Sequence, residues 1–253
     1  MKINKIFFKN SKVLPVDKFF KNVLYDKKFG YYNSRIPFGE KGDFITSPRI
    51  SNLFSEIIAI WIVACWESFG KPKNFNIVEL GPGDGSLSNT LLRSFKKFPE
   101  FNIIKKLYLY EESKFLKKIQ KKTIKNNVKW INNFNEIKKG YNIFIANEFF
   151  DALPIKQFFK LNNKWFERFV KFDKNNNKSF INININIKKI EKKIGFKISD
   201  NQKIIEYSPA ALEYLKYISK KINNNGALLI IDYGYLENTM KDTLLAVKNH
   251  KIS

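Results

Sequence analysis

The sequence predicts an α/β fold: an open parallel sheet, preceded by an N-terminal helical arm over residues 1–70 and interrupted by an antiparallel β insert at about 155–187. Three observations predict it. Short apolar runs alternate with helical periods from Asn76 to Ala146, as strand–helix crossovers on a parallel sheet require. A glycine-rich turn, Gly81-Pro82-Gly83-Asp84-Gly85, joins the first apolar run to the first of these helical periods. From Ile181 to Ile187, Ile and Asn alternate without exception, which predicts a strand with Ile facing a core and Asn facing water.

In order along the chain, Phe19, Phe20, Val23 and Leu24 give Pro15–Tyr25 helical apolar spacing, and residues 33–47 form a loop rich in turn formers. Ser47 as N-cap and Pro48 at the first helical position start a helix that runs to about Phe69, carrying Leu53, Phe54, Ile57, Ile60, Trp61 and Ala64. Strands follow at Asn76–Leu80, Leu107–Tyr110, Val128–Ile131 and Ile143–Ala146, with helices at about 87–95 and 113–121. The insert holds antiparallel strands at Gln157–Leu161, Trp165–Phe172 and Phe180–Ile187. After it come a helix, Pro209–Ile222, and a buried strand, Ala227–Ile231. A division into 1–70, an arm with a loop over the site, and 71–253, the sheet domain with its insert, is expected.

Composition narrows the function classes. Of 253 residues, 46 are Lys or Arg and 23 Asp or Glu, a net charge of +23. Hydrophobic residues at 44% and aromatics at 16% exclude a collagenous or wholly disordered chain. A single cysteine, Cys65, excludes a disulfide scaffold or cysteine zinc cluster, and a single histidine, His250, argues against a Ser-His-Asp triad or multi-histidine site; no metal is expected. Of the basic residues only four are Arg (Arg35, Arg49, Arg93 and Arg168). Sequence-reading nucleic-acid proteins lean on arginine's planar fork, so the charge reads as a Lys-, Asn- and Ile-rich background rather than a nucleic-acid surface. The longest apolar run, Ile57–Trp66, falls short of the ~20 residues of a spanning helix, so no membrane span is expected. Met1–Val13 is basic without a long apolar stretch, unlike a secretory signal, and leaves an organelle presequence open.

The motifs sit where strands end. Glycines between a strand and a helix let a ligand approach the backbone where no Cβ intervenes. The spacing is neither the G-x-G-x-x-G dinucleotide fingerprint nor a G-K-[ST] phosphate loop. Glu79, two residues before Gly81, fits the class I methyltransferase pattern, whose loop holds the amino-acid end of S-adenosylmethionine. Glu111 ends the second strand, where an acceptor-only carboxylate can take both ribose hydroxyls, although Glu112 beside it leaves the assignment between the two open. Asn147-Glu148-Phe149-Phe150-Asp151-Ala152-Leu153-Pro154 ends the fourth strand, and its amide and two acids suit a cationic acceptor group.

The chain resembles the MidA-like family of S-adenosylmethionine-dependent methyltransferases, which includes a mitochondrial complex I assembly factor. The motifs that carry the resemblance are Phe29-Gly30-Tyr31-Tyr32, Pro37-Phe38-Gly39, Gly42 through Pro48, Glu79 through Gly83, Asn147 through Pro154, Ser208 through Ala211, Ile231 through Tyr235 and Asp242-Thr243-Leu244. Ile36 and Arg49 depart from it, standing where the family's motifs carry acids. The resemblance implies a class I methyltransferase Rossmann-like sheet that binds S-adenosylmethionine through Glu79, Gly81, Pro82, Gly83, Gly85 and Glu111. It implies that Gly42, Asp43 and Phe44 close over the site and that Asn147, Glu148 and Asp151 face the methyl acceptor.

The function so implied is protein arginine N-methylation linked to respiratory complex I assembly, on a protein substrate that could be a complex I subunit. The compartment would be the cytoplasm in a bacterium or the mitochondrial matrix in a eukaryote. Two alternatives stay open: an assembly chaperone on a methyltransferase fold, and an RNA or small-molecule methyltransferase. Family members continue beyond the position matched by Ser253, so the last strands of the sheet are expected to be missing. Oligomeric state stays open.

Overall fold

The computed structural model describes residues 13–34, 37, 42–43, 47–125, 127–175, 177–223, 225–236, 240–245, 247–248 and 251–252. They divide into two units, each built around its own sheet. One comprises Met1–Gly30, Leu153–Leu212 and Gly234–Leu244, and the other Tyr31–Ala152, Glu213–Tyr233 and Leu245–Ser253.

The second unit holds the parallel sheet. Its strands are β2 (Phe75–Leu80), β3 (Lys105–Tyr110), β4 (Lys129–Ile131), β5 (Tyr141–Asn147) and β10 (Gly226–Ile231), in the order β10-β5-β2-β3-β4. Successive side chains of β2 point to opposite faces, so Ile77 joins one apolar cluster and Val78 another. Ile77's cluster includes α4 (Asn52–Ser68), α5 (Ser86–Phe95) and α6 (Pro99–Ile104), through Ile62, Trp66, Leu91, Phe95 and Phe101. The other includes Phe134, Phe144 and Ile218. The chain enters at β2, passes to β3 on one side and later to β5 on the other. The gap between β2 and β5 is therefore the switch point where open sheets bind ligands.

The first unit is an antiparallel sheet in the order β1-β7-β6-β9, with β8 on β7. It comprises β1 (Val13–Pro15), β6 (Lys156–Leu161), β7 (Lys164–Phe172), β8 (Lys178–Ile185) and β9 (Ile204–Tyr207), with α1 (Val16–Tyr25) and α8 (Lys188–Ile194). Phe19, Phe20, Val16, Val170 and Phe172 form one core cluster, while Phe158, Trp165 and Ile205 form another.

Several expectations change. Within the expected arm of residues 1–70, β1 pairs with β7 of the insert while α4 packs into the parallel sheet's core. The single helix from Ser47 is two: α3 (Ser47–Ile50) stops at Ser51, whose extended backbone (φ −149°) and hydroxyl, accepting from Leu53 N–H at 3.1 Å, cap α4 afresh. The face α4 buries is Ser55, Ile58, Ala59, Ile62, Val63 and Trp66, leaving Leu53, Ile57 and Ile60 exposed. A helix apolar all round does not reveal its inner face in its sequence. Ala227–Ile231, expected to be buried, is half-exposed, since among the described residues β10 has a partner on one side only. In β8, Ile181 and Ile185 are half-buried, but Ile183 is 41% exposed: the strand borders its sheet, and its alternation is only partly covered. Among the described residues no helix is long and apolar enough to cross a membrane.

Candidate functional site

Strand register builds the site. Leu80 pairs with Tyr110 on one side and Ala146 on the other, and Ile231 pairs with Asn147. The residues that follow these positions (Gly81, Glu111, Glu148 and Asp232) therefore line one edge of the sheet, although they lie far apart in sequence.

Gly81 continues the ladder, donating its N–H to Tyr110 O at 3.0 Å, and then turns with φ +59°. A Cβ on Gly81 would lie 2.8 Å from the ring of Phe149, so the residue is confined to glycine by both conformation and space. Gly83 and Gly85 also take positive φ, and Gly85 is the left-handed N-cap of α5. Asp84 Oδ1 accepts the N–H of Ser86 at 3.0 Å, and its Oδ2 accepts Arg49 Nε at 2.6 Å. A cleft of about 400 Å³, counted with its open mouth, lies between this loop and the end of β5. Glu79, Gly81, Pro82, Gly83 and Asp84 form one wall, Asn147 and Glu148 another, with Pro48 and Leu87 completing it.

The two acids at the end of β3 are separated by their partners. Glu111 is buried, accepting Ser113 N–H at 2.8 Å and Gln120 Nε2 at 3.1 Å, while the same Nε2 donates to Gly83 O at 2.9 Å. Glu112 instead accepts the hydroxyls of Tyr110 and Tyr214. Glu111 is thus the acid tied to the glycine loop.

At the end of β5, Glu148 adopts φ +49°, uncommon for a residue with a side chain, and donates its N–H to Ile231 O at 2.8 Å. Asp232, at the end of β10, accepts the N–H groups of Phe150 and Asp151 at 3.1 and 3.2 Å. Asn147 Oδ1 is buried without a hydrogen-bond partner among the described residues. Buried acceptors are nearly always paired, so an orphan in a cleft wall marks a place for a donor from outside.

Burial and crowding raise the carboxyl pKa values here. Burial pushes Glu79 up to about 7 against the opposing hydrogen bond from Ser88, with Asp84 and Glu111 adding repulsion. Burial likewise pushes Glu111 up to about 7, against its bonds from Ser113 and Gln120 and the attraction of Lys117. Asp151, exposed as a residue, has a carboxyl crowded by protein atoms, and this together with Asp232 and Glu148 takes it to about 6. Glu148 is raised by burial and by Asp232, against a bond from the Ser47 N–H. The Tyr32 phenol is held well above its usual range by burial and then by Asp151, Glu111 and Glu148, which sets it among all three acids. In a chain of net charge +23, this edge of the sheet gathers several acids in one place.

Of the residues predicted from sequence, Glu79, Gly81, Pro82, Gly83, Asn147 and Glu148 line the cleft itself. Gly85, Glu111 and Asp151 stand around it, by the loop, the Gln120 bridge and the Asp232-bound turn. Gly42 and Asp43 do not line it; Asp43 Oδ2 accepts the hydroxyl of Tyr31 at 2.6 Å. Phe44 lies outside the described residues. Gln120, Tyr32, Arg49 and the turn-holding role of Asp232 were not read from sequence. Tyr32 and Asp232 lie in motifs that carry the family resemblance and Arg49 departs from one, though none had a role assigned; Gln120 lies four residues after Leu116, on the face that α7 (Lys114–Thr123) buries. No group of three or more His, Cys, Asp or Glu among the described residues is arranged to hold a metal ion.

Comparison with known proteins shows the family. The family described as S-adenosyl-L-methionine-dependent methyltransferase matches residues 57–253. Protein arginine methyltransferase NDUFAF7, mitochondrial, from Xenopus laevis is 31% identical over 293 residues, covering 99% of this chain and 63% of that protein. The Homo sapiens protein of that name is 30% identical, covering 96% and 61%. The chain therefore spans somewhat over 60% of the length of these relatives. A crystal structure of a COG1565 superfamily member from Burkholderia thailandensis, bound to S-adenosyl-homocysteine, shares the fold at a TM-score of 0.74 and 21% identity, covering 88% of this chain and 59% of that one. With a family match over most of its length and an edge-of-sheet cleft of the expected kind, the chain belongs to the S-adenosyl-L-methionine-dependent methyltransferases.

Proposed function

We propose that this chain transfers a methyl group from S-adenosyl-L-methionine to an arginine of a protein substrate. The observation that carries the reading is the pairing of a glycine cradle at the switch point with the Glu148–Asp151 acidic turn beside it. The residues present fit the cofactor. Gly81, in the cleft wall, turns with positive φ against the Phe149 ring, and Asn147 Oδ1 awaits a donor. Glu111, an acceptor-only group when ionised, suits ribose hydroxyls. Glu79, Gly81, Pro82, Gly83 and Gly85 would hold the amino-acid end and Glu111 the ribose. When bound, the cofactor supplies an electrophilic methyl on a cationic sulfur.

The chain's own residues do the rest by positioning and charge. Glu148 and Asp151 would grip the guanidinium through charge-assisted hydrogen bonds and orient one nitrogen. A guanidinium has a pKa above about 12, and methylating it releases one proton while the product stays cationic. Asp151, near 6, and the raised Glu148 are the carboxylates best matched to accept that proton and pass it to solvent. Tyr32, held protonated, can donate a hydrogen bond without adding a further negative charge. No histidine is needed in this scheme.

The relatives' names support arginine as acceptor and a mitochondrial setting for eukaryotic members. On this reading the protein substrate is a subunit of respiratory complex I, and the compartment is the matrix in a eukaryote or the cytoplasm in a bacterium. Two measurements test it. Calorimetry of the folded chain with S-adenosylhomocysteine should show binding, and its absence overturns the reading. Labelled S-adenosylmethionine with purified complex I subunits should mark arginine by mass spectrometry; label on another residue type alone overturns the acceptor.

A further inference from the structure

Gln120 is a fully buried polar side chain on a helix face that otherwise packs apolar residues, and it satisfies every hydrogen-bonding group it carries. Its Nε2 donates to Gly83 O at 2.9 Å and to Glu111 Oε2 at 3.1 Å, and its Oε1 accepts Trp130 Nε1 at 2.9 Å. The indole N–H is a donor only, so it fixes which end of the amide faces the loop. The other Glu111 oxygen, Oε1, is held by Ser113 N–H at 2.8 Å.

We infer that Gln120 is a positioning residue for cofactor binding: its amide ties the Glu111 carboxylate to the glycine loop, so that the two ends of the cofactor site form one rigid frame. This rests on the reading that the loop and Glu111 bind S-adenosylmethionine. Without the amide, Glu111 keeps only its backbone donors, Ser113 and Glu112, and loses the side-chain tie to the loop, while Gly83 O loses its side-chain partner. A purely structural role would leave the pH midpoint of binding unmoved, because only loss of the donor to Glu111 shifts that carboxyl.

Calorimetry with S-adenosylhomocysteine on the full chain, across pH, separates the possibilities. Gln120→Leu should weaken binding about ten-fold or more while remaining folded by thermal unfolding. The pH midpoint of binding should move upward, because a donor that favours the ionised Glu111 is gone. The other groups facing Glu111 (Lys117, Glu79, Tyr32 and Tyr110) are unchanged by the substitution. Trp130→Phe leaves Gln120 in place and removes only its anchor, so it should weaken binding by a smaller factor; it carries the test if Gln120→Leu does not fold. Wild-type affinity and an unmoved midpoint in a folded Gln120→Leu overturn the inference, as does unchanged binding by Trp130→Phe when that variant carries the test. Failure of the wild-type chain to bind overturns the reading beneath it, a distinct result.

Discussion

Asp232 Oδ2 accepts the backbone N–H of Asp151 at 3.2 Å, so the acid ending one strand holds the turn that follows its neighbour. The same oxygen takes Phe150 N–H at 3.1 Å, and Glu148 within the turn is kept at φ +49°. Asp232→Ala should release the turn and lower kcat about ten-fold or more, with S-adenosylhomocysteine binding little changed. Asp232→Asn keeps an acceptor but removes a charge that raises both Asp151 and Glu148. Their pKa values should fall, and the acidic limb of the pH–rate profile should move below the wild-type limb near 6. An unmoved limb counts against Asp151 as the proton acceptor.

The pH behaviour of Glu111 has opposite signs for folding and for binding. Its folded pKa, about 7, lies above the ordinary value of 4.5, so its contribution to stability is complete at acid pH and is lost as pH rises through 7. If Glu111 holds the ribose as proposed, cofactor binding needs the ionised form and should strengthen over the same interval. Glu111→Gln should therefore flatten the change in unfolding temperature between about pH 4.5 and 7, and it should weaken S-adenosylhomocysteine binding most at the alkaline end. Thermal unfolding and calorimetry at matched pH values check both.

Gly81→Ala places a methyl 2.8 Å from the Phe149 ring at φ +59°. The left-handed conformation alone costs about 1–2 kcal/mol, and Phe149 must move as well, beside Glu148. Denaturant unfolding should show a loss of at least that size, and calorimetry a loss of cofactor binding of ten-fold or more. A variant that binds as wild type does would remove the loop from the site.

Arg49 and Asp84 form an ion pair between α3 and the glycine loop, with side chains 38% and 11% exposed. Partial solvation limits such a pair to about 0.5–1 kcal/mol in a double-mutant cycle on stability. Arg49→Asp combined with Asp84→Arg should recover only part of the loss, because an arginine at position 84 cannot accept the Ser86 N–H. Full recovery would show that the cap does not matter.

Most strands and the glycine turn were legible because local pattern decides them. The short runs Asn76–Leu80, Leu107–Tyr110 and Ile143–Ala146 fall inside observed strands, and positive φ at residues 81, 83 and 85 calls for glycine wherever the chain lies. The inner face of α4 was not legible, since Ile57, Ile58, Ile60 and Ile62 surround the helix and only the packed sheet selects among them.

The sequence by itself therefore determined the α/β class and the positions of Glu79, Glu111, Asn147 and Glu148 at or near strand ends. Tertiary structure alone decided which acid turns inward. Glu111 and Glu112 are the same residue type in adjacent positions; alternation along the chain end gives one to Gln120 and the loop, the other to Tyr110 and Tyr214. It also decided that Asp232 holds the Asp151 turn and that Gln120 joins Gly83 to Glu111, contacts made across 81, 37 and 9 positions of chain respectively. Hydrogen-bond partners are set by the register of strands and the docking of helices, and neither is written in any local stretch of residues.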